Sequence, residues 1–405
     1  MKRKLLCIMA AVCMLFSSAC AQTAPEEELR GVWFSYLEYS SLLQGKDQDA
    51  YTAQVEEICK NIRQAGYNAV FYQVRAFSDA FYPSKLFNWS KYVSGAAGAG
   101  PTYDPFAIFI EQAHQVGLKV HAWVNPFRIG DNTNITPESQ AAQWQNSGNG
   151  KVLEADGKLY YNPADPEVRT YILDGISEIL DHYDIDGVQY DDYFYPTTAP
   201  DFDSISYSGT PDGLAAWRRE NINALIRETY QTVKEYGSHL LFGVSPSADI
   251  EKDMQSLYAD VETWGKEAGY VDYLAPQIYY GYQNSTLPYK TILAQWDDLC
   301  RVPTLVVGLA GYKVGAEDQW AGNGKAEWQQ THDILARQYQ DAQCCQHFGG
   351  IAVFSYTSLF HPDAAVKDTA NAECQALSAA FGSPQKQEPS LWDSFLWFLQ
   401  ALLPF

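Results

Sequence analysis

Two adjacent aspartates, Asp191 and Asp192, follow an apolar stretch in the segment D-I-D-G-V-Q-Y-D-D-Y-F-Y-P, residues 184–196. Adjacent carboxylates at the end of a strand repel each other, so their presence there suggests a chemical use. Burial and mutual repulsion can separate the pKa values of two carboxyl groups, which gives an acid and a base from one residue type. The cleavage of a glycosidic bond requires such a pair.

The two aspartates have different predicted roles. Asp191 lies two residues after Gln189, so both side chains share one face of a strand, and Asp191 is the first predicted catalytic carboxylate. Asp192 is the first candidate for the partner acid, although adjacent side chains diverge as long as the strand continues. The structural alternative is that either aspartate caps a turn or pairs with Arg75. Three further carboxylates follow predicted strands and are candidates for the acid: Asp79, Glu38 and Asp249.

Other polar and aromatic side chains also follow predicted strands, many of them two residues apart and therefore on one face. Amide groups suit sugar hydroxyls as hydrogen-bond partners, and aromatic rings offer faces on which sugars can stack. Any single member could instead be a hydrogen-bonded core residue, above all the histidine. The predicted substrate-binding set is Gln73, Arg75, His121, Trp123, Asn125, Gln189, Tyr193, Gln277, Tyr279 and Tyr280.

The elements that must position these residues alternate along the chain. Apolar runs typical of strands cover residues 29–37, 69–74, 119–124, 187–190, 240–244, 273–279, 304–309 and 350–354. Helical patterns lie between most of them, at 53–65, 105–116, 166–183, 214–236 and 325–346. This alternation predicts an α/β fold, a (β/α)8 TIM barrel over residues 28–381 with its site at the C-terminal ends of the strands. The alternative, a doubly wound sheet, is disfavoured because no Gly-rich phosphate turn follows the first strand.

A set of ordered motifs resembles the glycosyl hydrolase-like family ten, a group of exported bacterial (β/α)8 proteins. The motifs are E-L-R-G-V-W-F-S-Y-L, F-Y-Q-V-R-A-F-S-D-A-F-Y-P-S, H-A-W-V-N-P-F-R, Y-N-P-A-D-P-E-V-R, D-G-V-Q-Y-D-D-Y-F-Y-P, G-V-S-P and D-Y-L-A-P-Q-I-Y-Y, between about residues 28 and 360. The resemblance implies a glycoside hydrolase, with some relatives acting on the glycan strands of peptidoglycan. D-G-V-Q-Y-D also resembles the strand-four motif D-G-x-x-x-D of alpha-amylase-type barrels, whose last aspartate is the nucleophile. This resemblance implies that Asp191 is the nucleophile or base.

The N-terminus has the pattern of a secretory signal over residues 1–20, with a basic start, a short apolar run and small residues. One cleavage site is of the lipoprotein type and would leave Cys20 lipidated; the other is an ordinary A-x-A site. Residues 21–27 form a short linker to the barrel. Either cleavage predicts an exported protein of the cell envelope, anchored to the membrane by lipid or secreted. Loss of Lys2, Arg3 and Lys4 would change the net charge from −21 to −24.

Composition excludes several other classes of function. The net charge of −21 provides no basic surface for nucleic acid. Cysteine and histidine residues show no metal-binding spacing, so neither a metal nor another cofactor is predicted. The composition of residues 382–405 predicts a linker followed by an aromatic-rich tail. This tail could dock on the barrel, lie on a membrane or contact a partner.

The sequence therefore predicts an exported glycoside hydrolase acting on an oligosaccharide or polysaccharide, with cell-wall glycan strands as the expected substrate. The alternative is a non-catalytic carbohydrate-binding protein on a hydrolase-like barrel. An enzyme needs a second carboxylate about 5–10 Å from Asp191, and a binding protein does not.

Overall fold

A closed barrel of eight parallel strands forms the centre of the computed structural model, which describes residues 28–382. The strands follow one another round the barrel in chain order, and the last pairs with the first, Gly350 beside Leu29. The predicted (β/α)8 fold is confirmed. The strands, β1 to β8, are Leu29–Phe34, Ala69–Arg75, Lys119–Val124, Gly187–Tyr190, Leu241–Val244, Tyr273–Leu274, Thr304–Ala310 and Phe348–Phe354.

Helices connect the strands, and several begin at an aspartate whose side chain accepts backbone N–H groups, as Asp104 and Asp165 do. No helix within residues 28–382 combines the length and apolar character needed to cross a bilayer. The longer helices are Gln48–Gln64, Pro105–Gln115, Gln140–Ser147, Pro166–His182, Leu214–Tyr236, Tyr289–Leu299, Ile334–Ala342 and Lys367–Gly382. The shorter ones are Tyr36–Leu42, Lys91–Ser94, Ile250–Lys252, Val261–Lys266, Glu327–Gln330 and Tyr356–Phe360.

Two small sheets and four short helical turns lie in the loops. Asp79–Ala80 pairs with Asn88–Trp89, and Lys158–Tyr161 pairs with both Arg128–Gly130 and Val152–Ala155. The turns are Pro211–Gly213, Asp253–Leu257, Gly311–Lys313 and Gly322–Gly324. The predicted signal peptide, Cys20, the linker 21–27 and the tail beyond residue 382 lie outside the described residues.

Three predicted elements have different bounds in the structure. The first strand ends at Phe34 because Ser35 caps a helix, with Glu38 completing a capping box. The sixth strand is only Tyr273–Leu274, and Gln277 adds an isolated bridge to Ser247. The predicted helix 325–346 is divided into Glu327–Gln330 and Ile334–Ala342, because Thr331 has an extended backbone.

Side chains fill the interior of the barrel. Trp33, Phe71, Trp123 and Tyr273 belong to one buried cluster, in which the rings of Trp33 and Phe71 are 5.4 Å apart. The position of Gly243 leaves room for the Tyr273 ring, since a Cβ atom there would overlap with it. Because the interior is packed, a ligand can reach the barrel only at its ends.

Candidate active site

A cavity of about 360 Å³ opens at the C-terminal end of the barrel. Loops that follow most of the strands contribute to its walls, as expected for a site at this face of a TIM barrel. The structure brings seven of the sequence-predicted site residues together here: Gln73, Trp123, Asp191, Asp192, Tyr193, Gln277 and Tyr279.

Asp191 is held at the base of the cavity by three N–H donors. Its Oδ2 atom accepts a hydrogen bond of 3.0 Å from Trp123 Nε1 and one of 3.4 Å from Asn125 Nδ2. Its Oδ1 atom accepts from the backbone N–H of Tyr193 at 3.3 Å. Asn125 is buried beside the cavity, and its own Oδ1 accepts from the backbone N–H of Arg128. Asn125 therefore acts on a ligand only through Asp191.

Asp192 reaches the same cavity because the strand has ended. The regular part of β4 stops at Tyr190, so the alternation of side chains no longer separates the two aspartates. Asp192 is half-buried, and the side chain of Gln277 donates a hydrogen bond to it. Gln277 is in turn held by a bond of 3.1 Å from its Nε2 atom to the backbone oxygen of Ser245.

Burial and the surrounding charges shift the pKa values of the two carboxyl groups to different extents. Burial raises the pKa of Asp191 to about 7, the negative charge of Asp192 adds to this, and the bond from Trp123 opposes it. Burial also raises the pKa of Asp192, while the bond from Gln277 and the charge of Lys252 oppose that shift. With its pKa raised to about 7, Asp191 can hold a proton near neutral pH, as the acid of a catalytic carboxyl pair must.

Aromatic side chains form the rim of the cavity. Tyr193 is 49% exposed, and the guanidinium of Arg128 lies 4.8 Å from the centre of its ring. Tyr279 packs edge-on against Tyr312, with ring centres 5.7 Å apart. Gln73 is fixed on the wall because its Oε1 atom accepts from the backbone N–H of Tyr36 at 3.0 Å. These contacts hold stacking faces and an amide in fixed positions round the two carboxyl groups.

His121 and Gln189 lie one layer deeper, inside the barrel. His121 is fully buried, its Nδ1 atom lies 3.0 Å from the Tyr273 hydroxyl, and burial lowers its pKa to about 4. Gln189 is also fully buried and accepts a bond of 2.7 Å from Trp33 Nε1. Their placement as substrate-binding residues is corrected: neither lines the cavity, because the rings of Trp33 and Trp123 lie in the layer above.

Arg75 does not share a face with Gln73, and that expectation is wrong. An irregularity in the pairing of β2 with β3 lies between the two residues and changes the alternation. The Arg75 guanidinium is buried 4.5 Å from the centre of the Phe87 ring and against Gly175 of helix Pro166–His182. Arg75 is thus part of the packing outside the barrel.

Two further predicted site residues lie away from the cavity. Asp79 is buried in a loop strand, where its Oδ1 atom accepts from the backbone N–H of Phe77 at 3.1 Å, and burial raises its pKa to about 6. Tyr280 follows the lining residue Tyr279 but does not itself line the cavity, and its carbonyl oxygen accepts from Gln338. Neither residue has access to the carboxyl pair.

The remaining acid candidates have structural roles. Glu38 is buried and accepts hydrogen bonds from Ser35, Ser355 and Thr357, and so ties the end of β1 to the end of β8. Asp249 caps the short helix Ile250–Lys252 through the backbone N–H of Lys252. Within residues 28–382, Asp192 is therefore the candidate that reaches the cavity beside Asp191.

Sequence reasoning missed one buried carboxylate and much of the aromatic wall. Asp253 is fully buried and accepts from the backbone N–H of Ser247, and burial together with the charge of Asp192 raises its pKa well above the usual range. The missed lining residues include apolar side chains that close the cavity and polar ones in the loops beyond the strand ends. The lining residues that were missed are Trp33, Ser35, Tyr36, Leu37, Arg128, Ser245, Tyr312 and Phe354.

Comparison with known families matches residues 28–323 to the family described as glycosyl hydrolase-like 10. Glycosyl hydrolase YngK of Bacillus subtilis (strain 168) is 33% identical over 328 residues, which cover 73% of this chain and 62% of that protein. Glycosyl hydrolase DigH of Escherichia coli (strain K12) is 34% identical over 299 residues, 65% of this chain and 67% of that protein. The chain thus spans less than two thirds of the Bacillus relative.

Solved structures with the same architecture are glycoside hydrolases of low sequence identity. The glycoside hydrolase domain of PgaB (BpsB) from Bordetella bronchiseptica superposes with a TM-score of 0.56 at 12% identity, over 88% of this chain and 99% of that one. The catalytic domain of beta-amylase from Paenibacillus polymyxa gives 0.53 at 8% identity, over 88% and 100%. At these identities the likeness shows the fold alone.

Proposed function

Because the chain belongs to the glycosyl hydrolase-like 10 family, we propose that it hydrolyses glycosidic bonds with Asp191 and Asp192 as its catalytic carboxyl groups. One observation carries the proposal: both groups reach one aromatic-lined cavity at the C-terminal face of the barrel. Burial also raises the pKa of Asp191 to about 7, so this group can hold a proton near neutral pH. A protein that only binds sugar does not need this pair, whose burial costs stability.

The charge balance suggests a division of roles. Asp191 is the more deeply buried of the two, with 4% of its surface exposed, and the charge of Asp192 raises its pKa further. Asp192 therefore ionises first. We assign to Asp191 the transfer of its proton to the leaving glycosidic oxygen, while the carboxylate of Asp192 attacks the anomeric carbon or takes a proton from water. The motif predicts the opposite division, with Asp191 as nucleophile or base.

The lining of the cavity supports an N-acetylated glycan as substrate. Trp123, Tyr193 and Tyr279 present rings, and Gln73 and Gln277 present amides. A net charge of −21 disfavours acidic peptide stems, so we propose that the substrate is a β-linked cell-wall glycan and that strands stripped of peptide react faster. The predicted signal 1–20 supports the same location, and we propose a cell-envelope protein anchored through lipid on Cys20.

A substrate screen tests this function. The purified protein is incubated with peptidoglycan, peptide-free glycan strands, chitin oligomers, xylan and starch, and new reducing ends are counted. We expect cleavage of the N-acetylated glycans, fastest for the peptide-free strands. Turnover of starch alone would overturn the substrate, and the absence of turnover on all five with retained glycan binding would support the binding-protein alternative.

Leaving-group dependence tests the roles. Aryl glycosides with a good leaving group need little protonation, so they bypass the acid but not the nucleophile or base. Asp191→Asn should therefore retain far more activity on an activated aryl glycoside than on a natural glycan, whereas Asp192→Asn should lose both. The reverse pattern would restore Asp191 as nucleophile or base.

A further inference from the structure

A second cavity, of about 530 Å³, lies next to the first on the same face of the barrel. Loops after β1, β7 and β8 form its walls, so it extends outward from the barrel mouth. Both cavities are within the size range of ligand pockets, roughly 300–1,000 Å³.

The two cavities share two exposed side chains, Leu37 and Tyr312. Leu37 is 56% exposed and Tyr312 is 47% exposed, so these two residues, the Leu37–Tyr312 divider, are accessible to a chain molecule that lies across both cavities. The Tyr312 ring is fixed edge-on against Tyr279 and Phe354, at centre distances of 5.7 and 6.1 Å. A fixed and exposed ring between two cavities suits stacking on a sugar face.

The walls of the second cavity are fixed relative to the first. Glu38 accepts from Ser35 on the catalytic side and from Thr357 on the outer side, the latter at 2.8 Å. Ser41 donates to the backbone oxygen of Glu38 at 3.1 Å. The carboxylate that sequence reasoning offered as a catalytic acid thus joins the two cavities into one preformed groove.

The outer cavity, like the inner one, offers hydrogen-bond donors and acceptors beside apolar side chains. Hydroxyl groups of Ser41 and Ser358, the imidazole of His361 and the carboxylate of Asp363 supply donors and acceptors. Within the described part of the chain, no Lys or Arg side chain lines this cavity, which therefore offers no cation to an anionic ligand.

We propose that the outer cavity binds further sugar units of the same glycan, which crosses the Leu37–Tyr312 divider while one bond lies at the carboxyl pair. This inference rests on the proposed function and extends it: the protein cleaves within long chains, and its catalytic efficiency rises with chain length. Binding energy from remote units then contributes to the reaction at the carboxyl pair.

The experiment measures kcat/KM for β-1,4-linked N-acetylglucosamine oligomers of two to eight units. The wild type should favour the longest oligomer over the shortest by about tenfold or more, as expected when remote units contribute binding energy. Ser41→Trp places a bulky ring in the outer cavity from an exposed position, and His361→Ala removes a polar partner. Ser41→Trp should bring the long-to-short ratio to within about twofold of one, and His361→Ala should lower it partly.

Tyr236→Ala is the matched control, because Tyr236 is an exposed aromatic residue, 41% accessible, that lines neither cavity. Its long-to-short ratio should equal that of the wild type. A wild-type ratio near one, or a Ser41→Trp ratio equal to that of the wild type, overturns the inference.

A binding measurement distinguishes failure of the outer-cavity proposal from failure of the proposed hydrolase activity. The oligomers are titrated by calorimetry into Asp191→Asn with and without Ser41→Trp. If the wild type cleaves neither these oligomers nor any glycan of the substrate screen, affinity that increases with length and is lost with Ser41→Trp supports the outer cavity while refuting the hydrolase. Affinity that is absent or independent of length refutes the outer cavity.

Discussion

Replacement of Asp191 by Asn should stabilise the folded protein, and the gain should increase with pH. The carboxyl group is buried beside Asp192, and these two conditions raise its pKa from 3.8 to about 7. Asn keeps an oxygen that can accept from Trp123 Nε1 but carries no charge. The substitution therefore removes a destabilising ionisation while retaining the main hydrogen bond.

The magnitude follows from the shift in pKa. Between 3.8 and about 7 the folded protein keeps a proton that the unfolded chain has lost, so stability falls as the pH rises through this window. The full shift corresponds to roughly 4 kcal/mol at pH values above the folded pKa. About 2–3 kcal/mol of this difference should develop between pH 5 and pH 8. The stability gain of Asp191→Asn over the wild type should grow by that amount across the same interval.

Asp203→Asn provides a matched control with the opposite expected sign. Asp203 is fully buried in the same long segment after β4, but its carboxylate pairs with the buried guanidinium of Arg218 at 2.6 and 2.9 Å. Removing one partner of a buried pair costs about 3–5 kcal/mol. The two variants make the same chemical change and differ in whether a cation faces the carboxylate.

Urea denaturation at pH 5 and pH 8, followed by tryptophan fluorescence, measures both variants against the wild type. We expect Asp191→Asn to unfold at higher urea than the wild type at pH 8, with a smaller difference at pH 5, and Asp203→Asn to unfold at lower urea at both. A loss of stability in Asp191→Asn that does not depend on pH would show that its carboxylate is a structural group, and would refute the electrostatic argument.

Three further outcomes are expected. Arg75→Lys should lower the free energy of unfolding by about 1–3 kcal/mol, because it removes a buried guanidinium stacked on Phe87, yet leave the activity of the folded protein near wild type; strong loss of activity at unchanged stability would contradict its placement. Turnover should decline as the pH rises through about 7, where Asp191 loses its proton, and a profile that is flat from pH 5 to 9 would contradict the assignment of the acid. Cys20→Ala should move the protein from the detergent-extracted membrane fraction to the soluble fraction, whereas a wild type found only in the medium without lipid would refute the anchor.

Sequence periodicity placed the site on the correct face of the barrel because alternation along a strand has a physical basis. Gln189 and Asp191 both point inward, as their spacing of two predicts, and so do His121 and Trp123. The spacing of two residues along a strand does not show, however, how deep in the barrel each side chain lies. The first member of each pair lies in the packed interior and the second lines the cavity.

The remaining errors arise where strands are irregular or end. A change of register after Gln73 turns Arg75 outward, and the end of β4 at Tyr190 brings Asp192 to the cavity beside Asp191. Neither event has a residue signature in the sequence. Tyr312 was missed for another reason, since it follows a strand whose end carries no polar group.

The most direct test of the central claim is the rate at which new reducing ends form in peptide-free cell-wall glycan, measured for equal amounts of folded wild type and Asp191→Asn at pH 6. Loss of a group that transfers a proton in the rate-determining step lowers turnover by about 100-fold or more. We expect that loss, together with glycan affinity within about twofold of wild type because the cavity keeps its shape. Near-normal turnover by Asp191→Asn would remove Asp191 from the mechanism and contradict the account of the carboxyl pair.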